Sequence, residues 1–196
     1  MPGSESATQV PREWADASAG WRKWLRAFAE QSEEATRRVV EASQAAPSMR
    51  VLDLASGCGE PAVSLAAAIA PGGFVVATDL VPGMLEGARE HAAWLGRGNL
   101  LFAAASAEAQ PFPSGHFDRV TCRFGVMFFP DIQRAMREVR RVLKSGGRAV
   151  FAAWGDPEHN TFFTATNACT GEARRLAAGG RSGAPVRRTW IPLPGV

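Results

Sequence analysis

The chain has 196 residues, 46% of them apolar and 21% charged, with a net charge of +3. That is enough for one domain with a real core, and the mild basic excess, much of it in arginines near the C-terminus, is no nucleic-acid footprint. Three irregularly spaced cysteines, Cys58, Cys122 and Cys169, form neither a disulfide framework nor a zinc spacing and fit a reducing, cytoplasmic setting.

Residues 1–12 are polar and are expected to be mobile. The first residues lack a basic start followed by an apolar core, so a secretory signal is not expected. No apolar run approaches the roughly 20 residues of a membrane span. Trp14, Trp21, Trp24, Leu25 and Phe28 recur at helical spacing, and Val39 and Val40 close a second amphipathic segment. These tryptophans are expected in the core rather than in a substrate cage. Pro47 and Ser48 end this helical region.

From there strand and helix signals alternate. Strands are predicted at about 50–55, Phe74–Asp79, Asn99–Ala104, Phe117–Arg123 and Arg148–Trp154. Helices are predicted over Pro61–Ala70, Pro82–Leu95 and Asp131–Leu143, the last stopped by Ser145-Gly146-Gly147. This alternation predicts an α/β fold, a parallel sheet with helices on both faces. From Gly171 onward Gly, Pro and Arg interrupt any long element, and the segment reads as a poorly structured basic tail. The chain therefore divides into 1–47, a helical cap; 48–155, the sheet-bearing core; and 156–196, a residual helix and tail.

The first strand and its loop, RVLDLASGCGE over Arg50–Glu60, carry the chemistry. An apolar run ends in Asp53, and small residues recur at Ala55, Gly57 and Gly59. The next strand ends in Asp79. A loop free of bulky side chains lets a ligand approach the backbone, and an acid at the next strand tip accepts hydrogen bonds from ribose hydroxyls. Gly57-Cys58-Gly59-Glu60-Pro61-Ala62 formally satisfies the dinucleotide fingerprint, with Asp79 about 20 residues on. Asp53 and Glu60, however, place two anions where a pyrophosphate would lie. They favour a cationic ligand without phosphates, such as S-adenosylmethionine (SAM).

Four blocks resemble a known family. They are VLDLASGCGEP (51–61), VVATDLVPGML (75–85), SAEAQPFPSGHFDRVTCRFGVMFFPD (106–131) and REVRRVLKSGGRAVFAAW (137–154). In order and spacing they are similar to class I SAM-dependent methyltransferases, closest to the small-molecule group that includes the ubiquinone/menaquinone-biosynthesis C-methyltransferases. The resemblance implies a Rossmann-like sheet of strand order 3-2-1-4-5. It implies that Asp53 helps hold the methionine ammonium, and that Ala55, Gly57 and Gly59 give the backbone room. By the same likeness Asp79 bonds the ribose, Leu80 packs on adenine with Met84 nearby, and Ser106, Ala107 and Glu108 form the adenine-edge loop. Cys122 and Arg123 approach the methionine moiety and the substrate.

Two departures stand out. Ala55 replaces a commoner glycine, and Ser106 replaces an Asp that accepts from the adenine amine. The family also continues past strand five with a helix and two further strands, more than the remaining residues supply. A shortened or altered end is therefore expected, with strand five at the sheet edge and self-association through it. No catalytic base stands out, which fits an already activated acceptor. His91 and His116 are expected to be solvated, His159 stands after strand five where a base could sit, and the cysteines are expected to pack as small residues. No metal site is expected. Two alternatives stay open: a catalytically impaired SAM-binding relic, and an NAD-binding oxidoreductase.

Overall fold

In the computed structural model, residues 4–155 are described, and those through Ala153 belong to one compact unit. The tail, with His159, Cys169 and the C-terminal arginines, lies outside the described residues. Three helices come first: α1 (Ser4–Lys23), α2 (Leu25–Gln31) and α3 (Glu33–Ser43). Helix α1 begins at Ser4, within the segment expected to be mobile. Pro11 argues against a helix because it removes a backbone donor, yet it lies inside α1.

The sheet has five parallel strands: β1 (Arg50–Leu54), β2 (Phe74–Asp79), β3 (Leu100–Ala104), β4 (Phe117–Arg123) and β5 (Leu143–Ala152), in the order β3-β2-β1-β4-β5. Three helices connect them: α4 (Ala62–Ala68), α5 (Pro82–Trp94) and α6 (Ile132–Val142). Asp131 caps α6 by accepting from the Arg134 backbone N–H at 2.9 Å. Strand boundaries follow the apolar runs because a doubly covered parallel strand is buried on both faces. In β1, Val51 joins one apolar cluster with Val75, Leu65 and Ile69, while Leu52 and Leu54 join the other with Val120, Val139 and Val142. Helices α3, α4 and α5 therefore serve one face and α6 the other.

α1 crosses α5 where two glycines, Gly83 and Gly87, leave space. A Cβ on Gly83 would stand 2.8 Å from Ser18 Oγ, and one on Gly87 would stand 2.8 Å from Arg22 Cγ and from Cys58 Sγ. Arg22 then pairs with Glu86 and Glu90 on α5. This covering buries His91, which is only 3% exposed and stacks beside Trp94. The expectation of a solvated His91 is thereby corrected, for a reason the α5 sequence does not contain. The cap tryptophans divide: Trp14 and Trp21 are half-buried, and Trp24 is exposed, against the expectation of a core position.

Strand β5 also departs from expectation. It begins at Leu143, and Ser145-Gly146-Gly147 falls inside it as an irregularity. Phe117 pairs with Leu143 but Arg119 with Arg148, and Gly146 takes a φ of +73°. The glycines fold the surplus residues out of the ladder instead of ending it. Among the described residues no helix is long and apolar enough to cross a membrane.

Candidate functional site

The strand order reverses between β1 and β4, and the crevice beyond their C-terminal ends is where such sheets bind ligands. Asp53 lies there, fully buried, in register with Thr121 of β4. Its Oδ1 accepts from Thr121 Oγ1 at 2.6 Å, and its Oδ2 has no partner among the described residues. Burial pushes the carboxyl pKa up to about 7, opposed by the Thr121 hydroxyl and by the charge of Arg123.

Asp79 has a different task. Its Oδ2 accepts from Gly57 N and its Oδ1 from Val81 N, both at 2.9 Å. The side chain thus joins the loop after β1 to the loop after β2, and each oxygen keeps a second lone pair. Burial again raises its pKa. The first loop is fixed further by Ser56, whose N–H and hydroxyl both donate to the Thr78 carbonyl, at 2.9 and 3.0 Å.

Three residues of that loop have left-handed backbone: Ala55 at φ +50°, Gly57 at +52° and Gly59 at +114°. A Cβ on Gly57 would enter open space, whereas one on Gly59 would meet Val63 Cγ2 at 3.1 Å and Ala88 Cα at 3.3 Å. Gly57 therefore keeps the ligand side open, and Gly59 lets α5 approach the loop. Glu60 lies in the turn before α4 and accepts weakly from Ser64 N at 3.4 Å.

Arg123 ends β4 on the same face as Asp53. Its Nη1 donates to Ser32 Oγ at 2.5 Å and Thr36 Oγ1 at 2.8 Å, while its buried Nε has no partner among the described residues. Burial lowers its pKa. The next residue, Phe124, has a left-handed φ of +60°, and such strain in a bulky residue marks functional sites.

The remaining predicted positions spread around this centre. Leu80 is 51% exposed beside Asp79. Met84 is buried, its sulfur 3.8 Å from Cys58 Sγ. Ser106 Oγ accepts from Glu108 N at 3.2 Å, and Ala107 packs against the core. Glu108 accepts from Asp131 N at 2.6 Å, tying this loop to α6. Cys122 is buried with Leu52 and Leu54, on the face away from Asp53, and burial raises its thiol pKa. Burial also pushes the Cys58 thiol up, to about 11.

Sequence reasoning missed Thr121, Ser32, Thr36 and Gly125. Only strand register reveals the first, and only the seating of α2 and α3 reveals the next two. Trp14 meets Phe128, in the segment just after β4, at 5.1 Å between ring centres, and Trp21 stacks on Phe28 at 4.2 Å.

Comparison with known proteins follows this geometry. The model of the ubiE/COQ5 methyltransferase family matches residues 27–169. The ubiquinone/menaquinone biosynthesis C-methyltransferase UbiE of Shewanella sp. (strain ANA-3) is 38% identical over 124 residues, 63% of this chain and 49% of that protein. The UbiE of Shewanella sediminis (strain HAW-EB3) is 37% identical over 125 residues, 63% of this chain and 50% of that protein. The chain thus spans about half the length of the curated relatives it matches. Among solved structures, the YcgJ protein of Bacillus subtilis is 28% identical with a TM-score of 0.59, over 74% of this chain and 58% of that one. The structure of the mmp1179 protein from Methanococcus maripaludis shares the fold at 19% identity and a TM-score of 0.66, over 83% of this chain and 74% of that one.

Proposed function

The chain belongs to the ubiE/COQ5 methyltransferase family, and on that premise we propose that it binds SAM and transfers its methyl group to a small-molecule acceptor. One observation carries the cofactor assignment. Asp53 presents a buried carboxylate oxygen with no hydrogen-bond partner among the described residues, at the strand switch point and next to an open left-handed loop. An orphaned acceptor there suits an ammonium and repels a pyrophosphate, which favours SAM over a nicotinamide dinucleotide.

When bound, SAM supplies a methyl on a sulfonium, an activated leaving group for in-line displacement. The protein positions and shields. Asp53 Oδ2 receives the ammonium, with Thr121 holding the carboxylate in place. The free lone pairs of Asp79 receive the ribose hydroxyls. Ala55, Gly57 and Gly59 shape the loop that admits the ligand to the backbone. Leu80 covers one adenine face, with Met84 as the packing behind it. Ser106, Ala107 and Glu108 meet the adenine edge, and Arg123 borders the methionine end, with Cys122 contributing there through its backbone because its side chain faces the other side of the sheet. Trp14, Trp21, Phe28 and Phe128 exclude water from the acceptor side. No side chain is assigned as a base, consistent with an acceptor that arrives activated.

We place the protein in the reducing cytoplasm, with Cys58 and Cys122 as free thiols. We also propose self-association along the outer edge of β5, which has no strand neighbour among the described residues. A monomer by light scattering would overturn that part.

The main test is isothermal titration with SAM and with its demethylated product, S-adenosylhomocysteine, alongside methyl transfer from labelled SAM into a small-molecule extract. Binding and labelling are expected. Tight NAD binding without SAM binding would instead establish an oxidoreductase, and binding without transfer would establish a relic.

A further inference from the structure

Two buried atoms of oppositely charged groups on one face of the sheet have no hydrogen-bond partner among the described residues. One is Oδ2 of Asp53 on β1, and the other is Nε of Arg123 on β4. Asp53 pairs in register with Thr121, and Arg123 stands two residues further on, on the same side by strand alternation. An unsatisfied buried charged group is costly, so each orphan calls for a partner. They share no hydrogen bond, although each feels the other's charge and Arg123 also feels that of Glu60.

The guanidinium is also held in place. Its Nη1 is anchored to Ser32 Oγ, Ser32 O and Thr36 Oγ1, and the group lies 5.6 Å from the Phe124 ring centre. That anchoring uses one edge of the fork. The other edge, formed by Nε and Nη2, makes no hydrogen bond to the described residues. A planar fork whose Nε edge donates no hydrogen bond to the described residues matches a carboxylate, which accepts two parallel N–H bonds.

We propose that Arg123 receives the carboxylate of the cofactor's amino-acid end through its Nε edge while Asp53 receives the ammonium. The pair thus reads the zwitterion as a unit. This rests on the SAM reading above and adds a specificity-determining residue to it. The protein then discriminates against nucleosides that carry the amine but lack the carboxylate. Arg123 also links that recognition to the cap, because the same guanidinium fixes the junction of α2 and α3.

The test compares two ligands, S-adenosylhomocysteine and its decarboxylated counterpart, which keeps the amine. Titration calorimetry measures both against the unaltered protein, Arg123→Gln, and the double variant Ser32→Ala/Thr36→Ala. The unaltered protein is expected to favour S-adenosylhomocysteine about ten- to a hundredfold, the range of a charge-assisted pair. Arg123→Gln is expected to lose that preference by weakening S-adenosylhomocysteine alone. The double variant, which frees the anchored edge, is expected to keep most of it. Arg123→Met, which retains the stem over Phe124, gives the same comparison if the glutamine variant does not fold. Equal weakening of both ligands in the Arg123 variants would assign Arg123 to the cap alone and overturn the proposal. Failure of the unaltered protein to bind either ligand would overturn the SAM reading itself.

Discussion

Gly125 has no room for a side chain because Ala55 occupies the space. A Cβ on Gly125 would stand 2.5 Å from Ala55 Cβ and 3.0 Å from Cys122 Sγ. The loops after β1 and β4 meet at this point, so the methyl at position 55 is tolerated only because position 125 has none. Gly125→Ala is expected to destabilise the protein by about 1–3 kcal/mol through overpacking. Ala55→Gly, which also relieves a left-handed backbone, is expected to restore much of that loss in the double variant. Urea denaturation of the four proteins gives the coupling, and strict additivity would show that the two residues do not meet.

Asp79 holds two loops together before any ligand arrives. Asp79→Ala leaves Gly57 N and Val81 N without their acceptor, at about 1–3 kcal/mol for each buried donor. Stability and S-adenosylhomocysteine affinity are both expected to fall. Asp79→Asn keeps one acceptor oxygen and is expected to lose less of each. Denaturation and calorimetry on the same samples check this, and unchanged affinity in the alanine variant would remove the ribose assignment.

The Asp53 carboxyl gives a pH dependence of known sign. Its folded pKa, about 7, lies above the ordinary carboxylate value, so the folded protein holds a proton that the unfolded chain releases near pH 4. This group's contribution to stability is complete below pH 4 and is lost as pH rises through 7. Asp79, shifted in the same direction, adds to the trend. Asp53→Asn is expected to flatten the profile between pH 5 and pH 8 in denaturant titrations. Ligand binding through a cation favours the ionised carboxylate, so affinity for S-adenosylhomocysteine is expected to be higher at pH 8 than at pH 6, with proton release visible in buffers of different ionisation enthalpy. Equal affinities at the two pH values would argue that Asp53 does not meet the ammonium.

Arg119 fastens the cap to the sheet. Its Nε donates to the Ser43 carbonyl at 2.5 Å and its Nη2 to the Gln44 carbonyl at 3.3 Å, satisfying the C-terminal end of α3. Arg119→Ala is expected to cost about 1–3 kcal/mol. Amide exchange is expected to rise in α3 and to change little in β1. Uniform acceleration across both elements would show that the residue supports global stability and not the cap.

Much of the scaffold was legible because its signals are local. The runs Phe74–Asp79 and Phe117–Arg123 appear as strands with their expected limits. The acids at positions 53 and 79 stand at strand ends where spacing placed them. What failed to show in the sequence depends on contacts between distant segments. Thr121 acquires its role only when β4 aligns beside β1. Arg123 reveals its anchored edge only when α2 and α3 lie across it. His91 is buried by helices from another part of the chain. The strand over Leu143–Ala152 was obscured for a different reason: glycines that normally end an element here allow a ladder to bulge and continue.

The central place of β1 also governs the order in which the chain can be assembled during synthesis. Val51 pairs with Val75 on one side and with Arg119 on the other. The half-sheet of β1, β2 and β3 can close once residue 104 has emerged, but the opposite flank of β1 waits for β4. Through that interval an apolar strand offers an open row of amides and carbonyls to any neighbouring nascent chain. Thr121 and Arg123 arrive last of the groups around Asp53, and the carboxylate remains hydrated until they do. Completing the buried acid and closing the vulnerable flank are the same folding event.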